Sequence, residues 1–191
     1  DNLAALRGTS DTFALRTRFH DESLHRVGRP HAGTAQEVFD AVEEARIACI
    51  GSYLMKGVGD NLQANLAQHC VNNSYQDIQN QSEAPLSEAL NMLIREKVTG
   101  RKPPQGGDVV LDLWRDHLEY SLGDDLEDLD NLMFDQEAFA ELAQKMITDL
   151  GLTDEYGEES AEGEAEEEGE QEEEMQPDSG EEMADQDMSG D

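Results

Sequence analysis

The sequence predicts an all-α domain of six or seven helices in one irregular bundle, followed by a disordered acidic tail. Three observations carry this reading. Apolar residues between Val38 and Leu150 recur at three- and four-residue steps. No β-hairpin turn, βαβ alternation or internal repeat interrupts them. Charge divides the chain sharply: residues 153–191 hold 19 Asp or Glu and no Lys or Arg, whereas residues 1–152 hold 26 acidic and 13 basic residues. The expected organisation is therefore a helical domain over 1–152 and a Glu-rich linker over 153–191.

The first segment, DTFALRTRFHDESLHRV (11–27), reads two ways. Phe13, Leu15 and Phe19 alternate like a strand; Leu15, Phe19, Leu24 and Val27 fit a helix started by Ser10 or Asp11, and the helix is favoured. Gly28 and Pro30 end it. The strongest amphipathic pattern follows, from Thr34 to the glycines of GVGDNL. Thr34 and Glu37 match a capping box. Val38, Val42, Ala45 and Cys49 form the stripe, with Phe39, Arg46, Ile50 and Tyr53 beside it and Gln36, Asp40, Glu43 and Glu44 opposite. About 22 residues of helix would span about 33 Å, enough for the spine of a small domain. Gly57 is placed as a left-handed cap and Gly59 as a loosened link to a short helix, Asp60–Val71, with Leu62, Leu66 and Cys70 inward.

The Asn- and Gln-rich run after Cys70 predicts a loop or a loose turn of helix. Pro85 then suits the first turn of a helix carrying Leu86, Leu90, Leu93, Ile94 and Val98, capped by Gly100. RKPPQGG breaks the chain. Asp108 should cap a helix with Val109, Leu113, Trp114, His117 and Leu118 on its stripe, ended by Gly123. Leu126, Leu129, Leu132 and Met133 mark a short acidic helix. The last helix starts at Asp135 or Gln136, runs to Leu150, buries Phe139, Leu142, Met146, Ile147 and Leu150, and is capped by Gly151. The acidic stretch beyond has too little apolar surface to offset backbone entropy of roughly 1–2 kcal/mol per residue.

The net charge of −32 argues against nucleic-acid binding, which needs cations to displace phosphate counterions, and against anionic membranes. No run of eighteen apolar residues and no basic-then-apolar leader appears, so a cytoplasmic protein is expected. Cys49 and Cys70 read as reduced, buried thiols.

Catalytic motifs are absent: no phosphate-binding G-x-x-x-x-G-K-[ST], no G-x-S-x-G, no H-E-x-x-H and no C-x-x-C. His20, His25 and His31, near Asp21, are the candidate metal ligands, against a packing or surface role. Arg95, Lys97, Arg101 and Lys102 crowd one helix end. They either complement its dipole or dock an acidic partner or the chain's own tail.

Five segments in order resemble the N-terminal domain of the CobT subunit of aerobic cobaltochelatase: ALRTRFHDESLH, FDAVEEARIACIGSYLMKGVGDNLQANL, APLSEALNMLIREKVTGRKPP, VLDLWRDHLEYSLGDDLEDL and DQEAFAELAQKMITDL. An acidic linker follows, as in that family. The resemblance implies a role in cobalamin biosynthesis. It implies partners similar to the AAA+ ATPase subunit CobS and the tetrapyrrole-binding subunit CobN, with ATP and Mg2+ serving the complex. Together these insert Co2+ into hydrogenobyrinic acid a,c-diamide. In the family the linker leads to a von Willebrand factor A domain with a D-x-S-x-S motif. DMSGD (Asp187–Asp191) lacks the final Ser, so that metal site is not carried over, and the chain is expected to be a fragment.

The expectation is an assembly module with no catalytic site and no cofactor of its own. Metal binding by His20 and His25, or a stand-alone acidic adaptor, are the alternatives. Asp40, Glu43, Glu44, Gly57, Gly59 and Asn61, on the spine and its GVGDN turn, are the candidate partner-contact residues.

Overall fold

The structure, a computed structural model, describes residues 2–152. The acidic stretch expected to be disordered, 153–191, lies outside them. The described residues form eight α-helices and three single 3-10 turns, with no strand. In chain order the helices are α1 (Asn2–Phe19), α2 (Glu22–Gly28), α3 (Gly33–Leu54), α4 (Lys56–Asn72), α5 (Leu86–Thr99), α6 (Gly107–Leu122), α7 (Leu129–Leu132) and α8 (Gln136–Asp149).

Helix α3 is the spine, touching α1, α4, α5 and α8. Its predicted stripe, Val38, Val42, Ala45 and Cys49, is buried in the main core, with the flanking Ile50. Leu90, Leu93 and Ile94 of α5 meet it there, as do Phe139, Met146 and Ile147 of α8. Leu15, Ile47, Ala48 and Leu62 make a smaller cluster where α1 covers α3 and α4. Gly8 permits that crossing: a Cβ there would collide with the Asn61 carbonyl and come within 2.6 Å of Asn65 Cβ. Both cysteines are free and buried, and burial pushes the Cys49 thiol up to about 12 and the Cys70 thiol up to about 11.

Several local expectations need correction. The first helix begins at Asn2, not Ser10 or Asp11, and breaks at His20–Asp21. The break has a cause: Asp21 is extended, and its carboxylate accepts the Ser23 and Leu24 amides, capping α2. The strand reading fails because Phe13 points outward, 75 % exposed, while Leu15 is buried. The Thr34–Glu37 box does not form. Helix α3 starts one residue too early for it, at Gly33 (φ 72°), and Gln36 instead donates back to the His31 carbonyl.

Gly57 is not a cap. Helix α3 stops at Leu54, Met55 is extended, and α4 begins at once, so GVGDN is helical and not a turn. Gly59 is there for close approach: a Cβ would lie 3.2 Å from Ser52 Cα and Cβ. On α6 the buried stripe is Val110, Leu111, Leu118 and Leu122, and His117 is exposed. Apolar residues flank both sides of that stripe, so periodicity alone left its rotation open, and packing against α5 selects it. Asp108 lies one residue inside α6 and its carboxylate reaches back to the Gly106 amide. Gly100 (φ 68°) and Gly151 (φ 74°) stand as expected, and of the two starts read for the last helix Gln136 holds, with Asp135 as its cap.

Candidate functional site

Three features of the fold bear on function: a buried polar knot under the α1–α2 break, a chamber beside α5, and a cleft at the C-terminal end of α3. The knot is built on Arg46, which shares the apolar stripe of α3 and is only 1 % exposed. Its guanidinium forks onto Glu43, Nε to Oε2 at 2.7 Å and Nη2 to Oε1 at 2.8 Å. The remaining donors reach the Met133 carbonyl (3.0 Å) and the Phe19 carbonyl (2.6 Å). Each carbonyl belongs to a helix end without an intrahelical partner, so one side chain completes two termini. Glu43, expected on the polar face, is 6 % exposed, because the broken α1–α2 corner lies over it. His20 Nδ1 adds a contact to Glu43 Oε1 at 2.7 Å.

His20 and His25 do come together, with ring centroids 5.0 Å apart. Their nitrogens are taken individually: His20 Nε2 by Glu22 (3.2 Å) and His25 Nε2 by Asp40 (2.8 Å). Asp40 is also forked by Arg29. Among the described residues no three His, Cys, Asp or Glu are grouped to hold a metal ion. His31 is exposed and apart.

Burial pushes the Asp40 carboxyl up, but the hydrogen bonds from Arg29 and His25 outweigh it and hold the group below the usual aspartate range. A depressed folded-state value contributes stability above the unfolded value of about 3.9, and that contribution is lost as pH falls through the folded value. Urea midpoints measured from pH 6 to pH 2 should therefore fall more steeply below about pH 4 for the wild type than for Asp40→Asn. Parallel curves would show that the Arg29–Asp40 fork contributes nothing to acid stability.

At the far end of α3, a cleft of about 480 Å³ is lined by residues including Tyr53, Lys56, Arg101 and Phe134. Tyr53 (72 % exposed) and Phe134 (53 %) meet edge-on with centroids 5.7 Å apart, and Leu54 and Met55 follow, also exposed. Sequence reasoning missed this surface; its signal was an aromatic at the edge of the α3 stripe.

The other expected contact residues are scattered. Glu44 is exposed beside the α5 chamber, Gly57 is open in the first turn of α4, Gly59 is buried, and Asn61 donates to Asp11 (2.8 Å). Of the basic cluster, Lys97 pairs with Glu119 (3.0 Å) and Arg101 with Asp60 (2.9 Å). Arg101 thus ties the α5–α6 link to α4.

A family model described as "Cobalamin biosynthesis protein CobT" matches residues 1–191. The chain belongs to the CobT family. The CobT match spans the helical domain and the acidic stretch alike. CobT membership identifies a cobalamin biosynthesis protein and, at that level, a subunit of the multisubunit cobaltochelatase. No solved structure matches this CobT-family chain. No described helix is long and apolar enough to cross a membrane.

Proposed function

We propose that this chain is an assembly module of an ATP-dependent cobaltochelatase, docking through the Tyr53–Phe134 cleft onto subunits similar to CobS and CobN. Those subunits would supply ATP and Mg2+ binding and hold the tetrapyrrole. The substrate metal Co2+ would be inserted into hydrogenobyrinic acid a,c-diamide there, in the cytoplasm. The exposure of Tyr53 and Phe134 in one cleft, with Leu54 and Met55 exposed next to Tyr53 in the chain, carries this reading. Adjacent exposed apolar side chains of this kind mark contact surfaces on soluble domains. The two aromatics are also the residue type that anchors interfaces.

Immobilised full chain should retain both subunits from a purified mixture. Tyr53→Ser with Phe134→Ser should lower retention at least about tenfold, the expected loss for two interface anchors, without changing far-UV circular dichroism. Unchanged retention would remove the cleft from the interface. A folded wild-type chain retaining neither subunit would defeat the assembly role itself.

A further inference from the structure

Arg95, half-buried, stands apart from the other charges of α5. It lies one turn beyond Asn91 on α5 and lines a chamber of about 220 Å³ between α1, α3, α4 and α5, open to solvent at Glu44. Among the described residues no carboxylate or carbonyl lies within hydrogen-bond or ion-pair distance of its guanidinium. The influence of Glu44 and Glu88 reaches it only through space, and burial pulls its proton affinity down. A guanidinium carries five N–H donors. Here they face the chamber.

The rest of the lining divides into two ends. At the polar end, the Glu88 carboxylate meets His69 Nε2 (2.9 Å) and has the Tyr75 hydroxyl beside it. Asn91 spends its amide N–H on the Ala41 carbonyl (3.0 Å), which leaves its oxygen as an acceptor. Glu44 has no hydrogen-bond partner among the described residues. At the other end lie Leu15, Ile47 and Leu62.

The charge balance selects the ligand. One cation and two carboxylates leave the chamber net negative. A bare inorganic anion would gain Arg95 and meet two repulsions. A divalent cation would meet Arg95 and finds no set of three ligands. A molecule with a carboxylate at one side, an ammonium at the other and an aliphatic body satisfies every part. The volume suits it, since a cavity of about 150 Å³ already admits benzene.

We infer that the Arg95 chamber binds a small zwitterion of the α-amino-acid class, its carboxylate on Arg95, its ammonium between Glu44 and Glu88, and its aliphatic side chain toward Leu15, Ile47 and Leu62. This site is separate from the Tyr53–Phe134 cleft and does not depend on partner docking.

Calorimetric titration of the full chain tests it with three probes at matched ionic strength: L-leucine, N-acetyl-leucinamide and sodium phosphate. Leucine should bind saturably, while the uncharged analogue and phosphate should not. Arg95→Gln and Glu44→Gln should each weaken leucine binding by about tenfold or more, the usual loss for a charged hydrogen bond. Lys97→Gln, outside the chamber, should leave it unchanged. The inference is overturned if leucine does not saturate, or if phosphate binds as well as leucine. It is equally overturned if both variants, folded by near-UV circular dichroism, bind leucine like the wild type.

Discussion

Arg46→Met is expected to lower stability by about 3–5 kcal/mol, the cost of removing one partner from a buried ion pair. The substitution keeps most of the side-chain volume, so the loss is electrostatic and not a cavity effect. Glu43 would stay 6 % exposed with its fork gone, and the Phe19 and Met133 carbonyls would lose their donors. For a domain of this size each kcal/mol moves the melting temperature by about 2–4 °C. A fall of roughly 6–20 °C should follow. Adding Glu43→Leu should recover part of it, because the uncompensated charge then disappears while the orphaned carbonyls remain. A single variant melting within about 2 °C of the wild type would mean that the pair is hydrated in solution.

Phe39→Ala should cost a similar amount, about 3–5 kcal/mol, through a different mechanism. Phe39 is 1 % exposed, its ring centroid is 5.1 Å from that of His25, and its edge lies 3.1 Å from where a Cβ on Gly28 would sit. It is the apolar contact that seats α2 on the spine, beside the polar one from His25 to Asp40. Only about 10 Å³ of free space remains where α2, α3 and α8 meet, so the truncation opens a void that the neighbours cannot easily fill. Hydrogen exchange should reveal an uneven loss, with amides of Glu22–Gly28 losing more protection than those of Leu86–Thr99. Uniform loss across both helices would show that α2 is held by something other than this ring.

The two substitutions also mark the limit of what the sequence discloses. Phe39 was legible, since a large apolar residue beside a helical stripe has few other roles. The inner faces of α5 and α8 were legible for the same reason, and their ends were marked by residues with one structural use each, Gly100 and Asp135. The junction of α3 and α4 was not. Gly57 and Gly59 carry the same local signal whether glycine supplies a positive φ or merely makes room, and here Gly59 makes room. Nor was the burial of Glu43 readable. On α3 alone it belongs to the polar side, and only the broken corner at His20–Asp21 covers it. Arg46 did leave a trace, a cation on an apolar stripe, as did Arg95 on α5. The first finds its partners from Phe19 and Met133, far apart in sequence. The second finds none among the described residues. Periodicity locates such a residue but cannot say what surrounds it.

The corner at Asp21 has a further consequence, in time. Its backbone exchanges two hydrogen bonds with the side chain of Gln136, across 115 residues. During synthesis at about 5–20 residues per second, roughly 6–23 s separate the emergence of those two positions. Throughout that interval Arg46 lacks its Met133 acceptor and α2 lacks the helix it rests on. The part of the α3 stripe that α8 covers must therefore wait uncovered at the ribosome, while α4 and α5 already shield the rest. The last of the described helices to be made is the one that lets the first ones settle.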